Sequence, residues 1–185
     1  MSISEHVKKI IKNRESVFRL KLLIIAVFVI LFLIKTYLYR EDKVVDLLKE
    51  ETSPTGHLNE THPVSVFFKA KKNRKICMQF IPITWNCVFD RNSKLKITLS
   101  DTGGRVVSEK TLECSKLEDH KLSSFVFLDD EELKAGSEYS ITFSSNISSE
   151  DETLALLRTR EQAEDFYTVE NGVVTEENVE IAIYE

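Results

Sequence analysis

These 185 residues contain no recognisable active-site signature. There is no Gly-x-Ser-x-Gly, which removes the strand–turn–helix nucleophile of a large hydrolase class. The three cysteines, Cys77, Cys87 and Cys114, make no Cys-x-x-Cys and no Cys/His spacing, so the usual zinc frameworks are absent. Tryptophan occurs once, at Trp85, and only one long apolar run is present.

That run fixes the expected architecture. Leu22 to Ile34 (LLIIAVFVILFLI) is thirteen consecutive apolar residues between Lys21 and Lys35. Thirteen helical residues cover roughly 20 Å, short of the roughly 30 Å hydrocarbon core of a bilayer. Extension from Leu20 to Leu38 brings the helix to roughly 28 Å if the two lysines turn their amines to the headgroup layers. Tyr37 and Tyr39 then fall at the outer interface. A cleaved secretory signal is the rival reading. The flank Lys35-Thr-Tyr-Leu-Tyr-Arg lacks a small-x-small cleavage site, and the basic segment before the run is long. An uncleaved signal-anchor is therefore expected over 20–40, following a basic tail over 1–19.

Six Lys and Arg precede the run (Lys8, Lys9, Lys12, Arg14, Arg19, Lys21) and four follow closely (Lys35, Arg40, Lys43, Lys49). The positive-inside bias thus predicts a single-pass protein of the cell membrane, with a cytoplasmic N-terminus and an extracytoplasmic C-terminal domain. Residues 41–185 carry 17 basic and 28 acidic side chains, a net charge of −11. A nucleic-acid partner or an anionic bilayer is disfavoured for that part.

Glu41 to Glu51 (EDKVVDLLKEE) sets Val44, Leu47 and Leu48 at helical spacing, which predicts a juxtamembrane helix. Thr52-Ser-Pro-Thr-Gly56 reads as a break, so 41–60 is expected to be helix and linker. Beyond it the period changes to two. Lys94-Leu-Lys-Ile-Thr-Leu-Ser100 places Leu95, Ile97 and Leu99 on one face, and Glu138-Tyr-Ser-Ile-Thr-Phe-Ser144 does the same with Tyr139, Ile141 and Phe143. Further strands are predicted at Val64 to Ala70, Ile76 to Thr84, Val106 to Leu112, Phe125 to Leu128 and Leu154 to Leu157. Phe166 to Thr175 with Asn171-Gly172 at its centre is a hairpin signal, since Asn-Gly supplies two positive-φ positions. Val179 to Tyr184 is expected to close the chain as an alternating strand. The fold class expected for 61–185 is mainly β, an antiparallel β-sandwich behind a single transmembrane helix.

Several of these phrases carry a resemblance: Lys94 to Val107, Leu117-Glu-Asp, Glu138 to Ser145, and Asn171-Gly172 ahead of Val179 to Tyr184. Over roughly residues 62 to 185 they resemble the jelly-roll, galactose-binding-like domains attached to bacterial cell-surface glycan-assembly proteins. The resemblance implies a non-catalytic module that binds glycan or organises assembly. This chain differs in carrying the domain on one anchor without a polytopic glycosyltransferase.

The candidate sites follow from residue types. Trp85, in Ile83-Thr-Trp-Asn-Cys87, has Asn86 and Arg91 nearby; an exposed indole beside amide and guanidinium groups suits a sugar ring, whereas burial between sheets is the commoner fate of tryptophan. Cys77 and Cys87 could pair in an oxidising compartment, leaving one thiol over, or all three could be core thiols. His57 and His62, near Glu60, could clip a metal but lack further ligands, and solvated histidines are the plainer reading. His120 beside Asp119 has no nucleophile and reads as a turn. Asp129 to Glu132 could collect a hard cation, but its spacing matches no defined calcium loop. Asn59-Glu-Thr61 and Asn146-Ile-Ser148 fit the N-glycosylation acceptor. No cofactor is expected. The chain is thus read as a non-enzymatic surface protein whose sandwich binds a glycan or another membrane protein. A structural or regulatory subunit without its own ligand is the second reading, although the apolar run lacks Gly-x-x-x-Gly and has only Ala26 as a small residue. A hydrolase of unrecognised type is the third.

Overall fold

A computed structural model describes residue 25 and residues 43–48, 53–148 and 151–185. The chain divides into two units, Met1–Glu41 and Asp42–Glu185. The expected tail and anchor, with Lys21, Leu22, Ile34 and Lys35, lie outside the described residues. Among the described residues no helix is long and apolar enough to cross a membrane.

The second unit is mainly β and antiparallel throughout. Its strands are β1 (Lys43–Asp46), β2 (Val64–Lys69), β3 (Ile76–Phe80), β4 (Pro82–Ile83), β5 (Lys94–Asp101), β6 (Val106–Glu113), β7 (Val126–Leu128), β8 (Glu138–Ser145), β9 (Ala155–Leu156), β10 (Arg158–Thr159), β11 (Phe166–Glu170), β12 (Val173–Val174), β13 (Asn178–Val179) and β14 (Ile181–Tyr184), with a short 3-10 turn at Cys114–Lys116. One sheet runs β1-β14-β3-β7 and a larger one β12-β11-β2-β8-β5-β6; β4-β9 and β10-β13 form two short ladders.

The two main sheets share one core. Val66 and Phe68 of β2, Leu95, Ile97 and Leu99 of β5, and Ile141 and Phe143 of β8 are fully buried, and they join Met78, Phe80, Leu128, Ile181 and Ile183 of the smaller sheet in one cluster. Phe80 meets Phe143 edge to face, with ring centroids 5.3 Å apart, so the sheets touch through their inner aromatic faces in a sandwich-like packing. The period-two reading of β5 and β8 puts the right side chains inside. The hairpin forms as its turn demands: Asn171 has φ 52° and Gly172 φ 77°, joining β11 to β12 with Glu170 opposite Val173.

Three expectations need correction. Residues 43–46, read as part of a juxtamembrane helix, form β1 instead and pair antiparallel with β14. A bulge between Lys43 and Val45 lets Val44 and Val45, neighbours in sequence, both reach the core, so an apparent helical spacing is satisfied by an irregular strand. Residues 53–58, read as a linker, form an edge segment. Thr55 and Leu58 donate their N–H groups to the carbonyls of Leu156 and Leu154 at 2.8 and 2.7 Å, and Ser53 accepts from Arg158 N–H at 2.9 Å. Arg158 adds Nη2 to the Pro54 carbonyl at 2.8 Å, and Leu58 is fully buried. Finally, β14 does not alternate between core and solvent. Ile181 and Ile183 face the main core, while Ala182 and Tyr184 pack with Cys77 on the opposite side, partly covered by Leu48. A strand covered on both faces is apolar throughout.

Candidate functional site

The single tryptophan sits on a turn that the backbone would not choose unaided. After β4 the chain reverses over Thr84 to Cys87, closed by a hydrogen bond from Cys87 N–H to the Thr84 carbonyl at 3.0 Å. Trp85 has φ 48° and Asn86 φ 56°. Two consecutive left-handed residues make a primed turn, which asparagine tolerates and a bulky aromatic does not; the left-handed backbone costs about 1–2 kcal/mol for such a residue.

Asp119, 34 positions beyond Trp85, offsets that cost. Its Oδ1 accepts from Thr84 N–H at 2.5 Å, from Trp85 N–H at 2.9 Å and from the Thr84 hydroxyl at 3.2 Å. Its Oδ2 accepts from Asn86 Nδ2 at 3.3 Å and pairs with His120 Nδ1 at 3.0 Å. Burial pushes the Asp119 carboxyl up, but the hydrogen bonds from Thr84, His120 and Trp85 together outweigh it and hold the group below its usual value. His120 itself has φ 53° and donates its backbone N–H to the Pro82 carbonyl at 3.0 Å. The Asp119-His120 pair is thus a clamp on the Trp85 turn.

The clamp holds the indole out of the core. Trp85 is 45% exposed, which removes the reading of it as a tryptophan buried between the sheets. One face stacks on the imidazole of His57, at 5.2 Å between centroids and 13° between planes. His57 also lines a groove of about 560 Å³ that is walled by Asn59, Thr61, Asn146, Ser148 and Glu152. The groove is rich in amide, hydroxyl and carboxylate groups. Both acceptor-like triplets border it, and each asparagine is engaged: Asn59 Oδ1 accepts from the Thr61 and His62 N–H groups at 2.9 Å, and Asn146 bridges Lys94 N–H at 2.7 Å and the Asn92 carbonyl at 3.0 Å.

The structure therefore brings Trp85 and Asn86 together on one clamped turn. Arg91, the third expected ligand-binding residue, is exposed in the following turn, where Asp90 N–H donates to Glu152 and Asn92 N–H to Asp90, and it joins neither the Asp119 network nor the His57 stack. Two residues of the site were given other roles from the sequence. His57 was weighed as a metal ligand or a solvated linker side chain, and Asp119 only as the neighbour of His120. The one sequence signal for the turn was Asn86, a residue suited to positive φ.

The remaining candidates resolve differently. No disulfide joins the cysteines. Cys77 packs with Ala182 and Tyr184, whereas Cys87 lies against the main core and donates to the Thr153 carbonyl at 3.4 Å, so the proposed Cys77–Cys87 bridge would have to join separate clusters. Burial pushes the Cys114 thiol up to about 12, leaving it protonated at neutral pH. Three carboxylates of the acidic run are engaged by basic side chains: Lys110 pairs with Asp129 at 3.3 Å and Asp130 at 3.5 Å, and Arg105 with Glu131 at 2.9 Å. Ser108 donates to Asp130 at 2.6 Å and, with Lys110, holds that carboxyl below its usual value. No group of three or more metal-ligating side chains occurs among the described residues.

Neither a protein-family model nor a curated protein matches the chain.

Proposed function

We propose that this chain is a single-pass membrane-anchored protein whose extracytoplasmic β-sandwich, of jelly-roll type, is a non-catalytic module that binds a glycan of the cell envelope. The observation that carries this reading is the Trp85 turn: an exposed indole, its backbone in a left-handed conformation, clamped by one carboxylate. Strained backbone persists where the surroundings over-determine it, and such positions cluster at ligand-binding sites. An indole face held rigidly against solvent offers the apolar face of a sugar ring a stacking surface at low entropic cost. The amide, hydroxyl and carboxylate groups of the neighbouring groove suit the sugar hydroxyls. The groove is open, it sets Leu58, Ile147 and Leu154 beside the polar groups, and its acidic wall at Glu152 favours neutral or amino sugars over anionic ones.

The test uses the full-length protein in detergent micelles, passed over immobilised cell-wall and surface polysaccharides. Wild type is retained by at least one of them, and Trp85→Ala weakens retention about tenfold, the equivalent of one lost aromatic stack of about 1.4 kcal/mol. Equal retention of the two proteins would overturn the reading.

A further inference from the structure

Residues 69–75 (KAKKNRK) hold five of the 17 basic side chains beyond residue 40, in a part of the chain whose net charge is −11. They join β2 of the larger sheet to β3 of the smaller one. β2 starts three residues past Thr61 of the groove and runs six residues, about 20 Å, before this loop is reached. The basic loop and the groove therefore lie at opposite ends of the sandwich.

A clasp to the turn before β8 fixes the loop. Ala70 N–H donates to the Ser137 carbonyl at 2.9 Å, and Gly136 N–H to the Ala70 carbonyl at 2.7 Å. Leu133 N–H donates to the Arg74 carbonyl at 2.9 Å, and Ala135 N–H to Asn73 Oδ1 at 2.8 Å. Ala70 and Leu133 are buried in the main core, whereas Arg74, Lys75 and Lys134 are exposed. Three cations thus stand on one core-anchored platform, which lowers the ordering cost of binding.

Their lack of partners sets these cations apart. Arg91 aside, every described Lys or Arg outside residues 70–75 and 134 reaches a carboxylate. Arg74, Lys75 and Lys134 form no ion pair among the described residues, and Lys71 gives its ammonium to the Val44 carbonyl at 2.9 Å. Nearby carboxylates are turned elsewhere: Asp165 to Lys69, Glu131 to Arg105 and Glu138 to the Tyr167 hydroxyl, while Glu132, exposed beside Leu133, pairs with none of the three. In a domain with an excess of carboxylates, three neighbouring cations without one form a local anion-attracting site.

We propose that the clasp of residues 70–75 and 133–137 is a second binding site, for an acidic polysaccharide whose charged groups bridge Arg74, Lys75 and Lys134. The Arg74 fork suits a carboxylate or phosphate, and a chain with repeated charges reaches the two lysines in the same contact. A thin chain can lie on this end alone, whereas an anionic bilayer brings a broad plane within a Debye length, about 8 Å, of the surrounding carboxylates. The site rests on the extracytoplasmic reading of the domain and not on Trp85.

The test titrates labelled polygalacturonate with the full-length protein in neutral detergent micelles. Wild type binds, unlabelled dextran does not compete, and Arg74→Glu/Lys75→Glu weakens binding roughly tenfold. Lys116→Glu/Lys121→Glu, with the same change of charge outside the clasp, and Trp85→Ala leave it unchanged. No binding by wild type, or equal losses from the two charge-reversed variants, would overturn the clasp and leave the Trp85 reading standing. Loss in Trp85→Ala alone would place the acidic glycan in the groove and overturn it too. Polygalacturonate also protects Lys75 and Lys134, but not Lys116, from a water-soluble active ester. Protection of those two lysines by phosphatidylglycerol vesicles and not by the polymer assigns the clasp to a lipid surface and overturns the proposal. On intact cells a membrane-impermeant ester labels Lys116; if it does not, the extracytoplasmic reading falls and the proposal with it.

Discussion

Trp85 and the Phe125/Phe127 pair are the exposed aromatics of this domain that neighbour another ring, and they are exposed for different reasons. Phe127 sits on regular β7 backbone and Phe125 directly precedes it; both are exposed because they occupy the outer face of an edge strand. Trp85 is exposed because a positive-φ turn and five hydrogen-bonded contacts to Asp119 hold it there. An apolar residue on an unstrained strand suits a surface that needs area and little geometry. An aromatic held against backbone preference suits a ligand that needs one ring in one place. The clamp, more than the indole, is what singles Trp85 out as the candidate position.

The contrast can be broken at the clamp first. Asp119→Ala removes the acceptor of two backbone N–H groups from a largely covered site, and about 3 kcal/mol of unfolding free energy is expected to go with it, read from urea unfolding followed by circular dichroism. Phe127→Ser should leave the same midpoint within about 0.5 kcal/mol, since no buried contact or strained backbone is lost. Equal losses from the two substitutions would erase the distinction.

Protonation tests the clamp without mutation. The Asp119 carboxyl is held below its usual 3.8 in the folded chain, so its contribution is complete above that value and is lost as pH falls through the lower folded value. Trp85 emission is expected to stay level down to about pH 4 and to change below it, and Asp119→Asn should abolish that acid transition. A transition centred above 4.5 would place the proton on another group.

A second primed turn sharpens the comparison. Gly172 has φ 77° with open space where a Cβ would stand, so Gly172→Ala introduces left-handed strain and nothing else. A loss of about 1 kcal/mol is expected, measured by thermal unfolding with glycan retention unchanged. That loss calibrates the strain which Trp85 carries natively.

How far the sequence speaks follows the same division between local and distant causes. Strands β5 and β8 were legible because each has one buried face, and strict alternation of Leu95, Ile97, Leu99 and of Tyr139, Ile141, Phe143 records it. The Asn171-Gly172 hairpin was legible because its turn chemistry is local. β1 was not, because Val44, Leu47 and Leu48 fit a helix equally well and only pairing with β14, more than 130 residues away, selects the strand. The edge segment at 53–58 was not, because its proline, glycine and hydroxyl residues look like a break until Leu154 and Leu156 take up its N–H groups. Trp85 was visible as a candidate, with Asn86 as a neighbouring amide. Its exposure depends on Asp119 and its stacking on His57, and neither partner is near it in sequence.

The most direct test of the central claim is Trp85→Gly in the full-length chain, with unfolding midpoint and polysaccharide retention measured on one preparation. Glycine adopts φ near 50° without penalty. If the turn is held in strain to present the indole, the midpoint holds or rises while retention is lost. A midpoint that falls by several degrees with retention intact would show Trp85 to be a packing residue and would contradict the account.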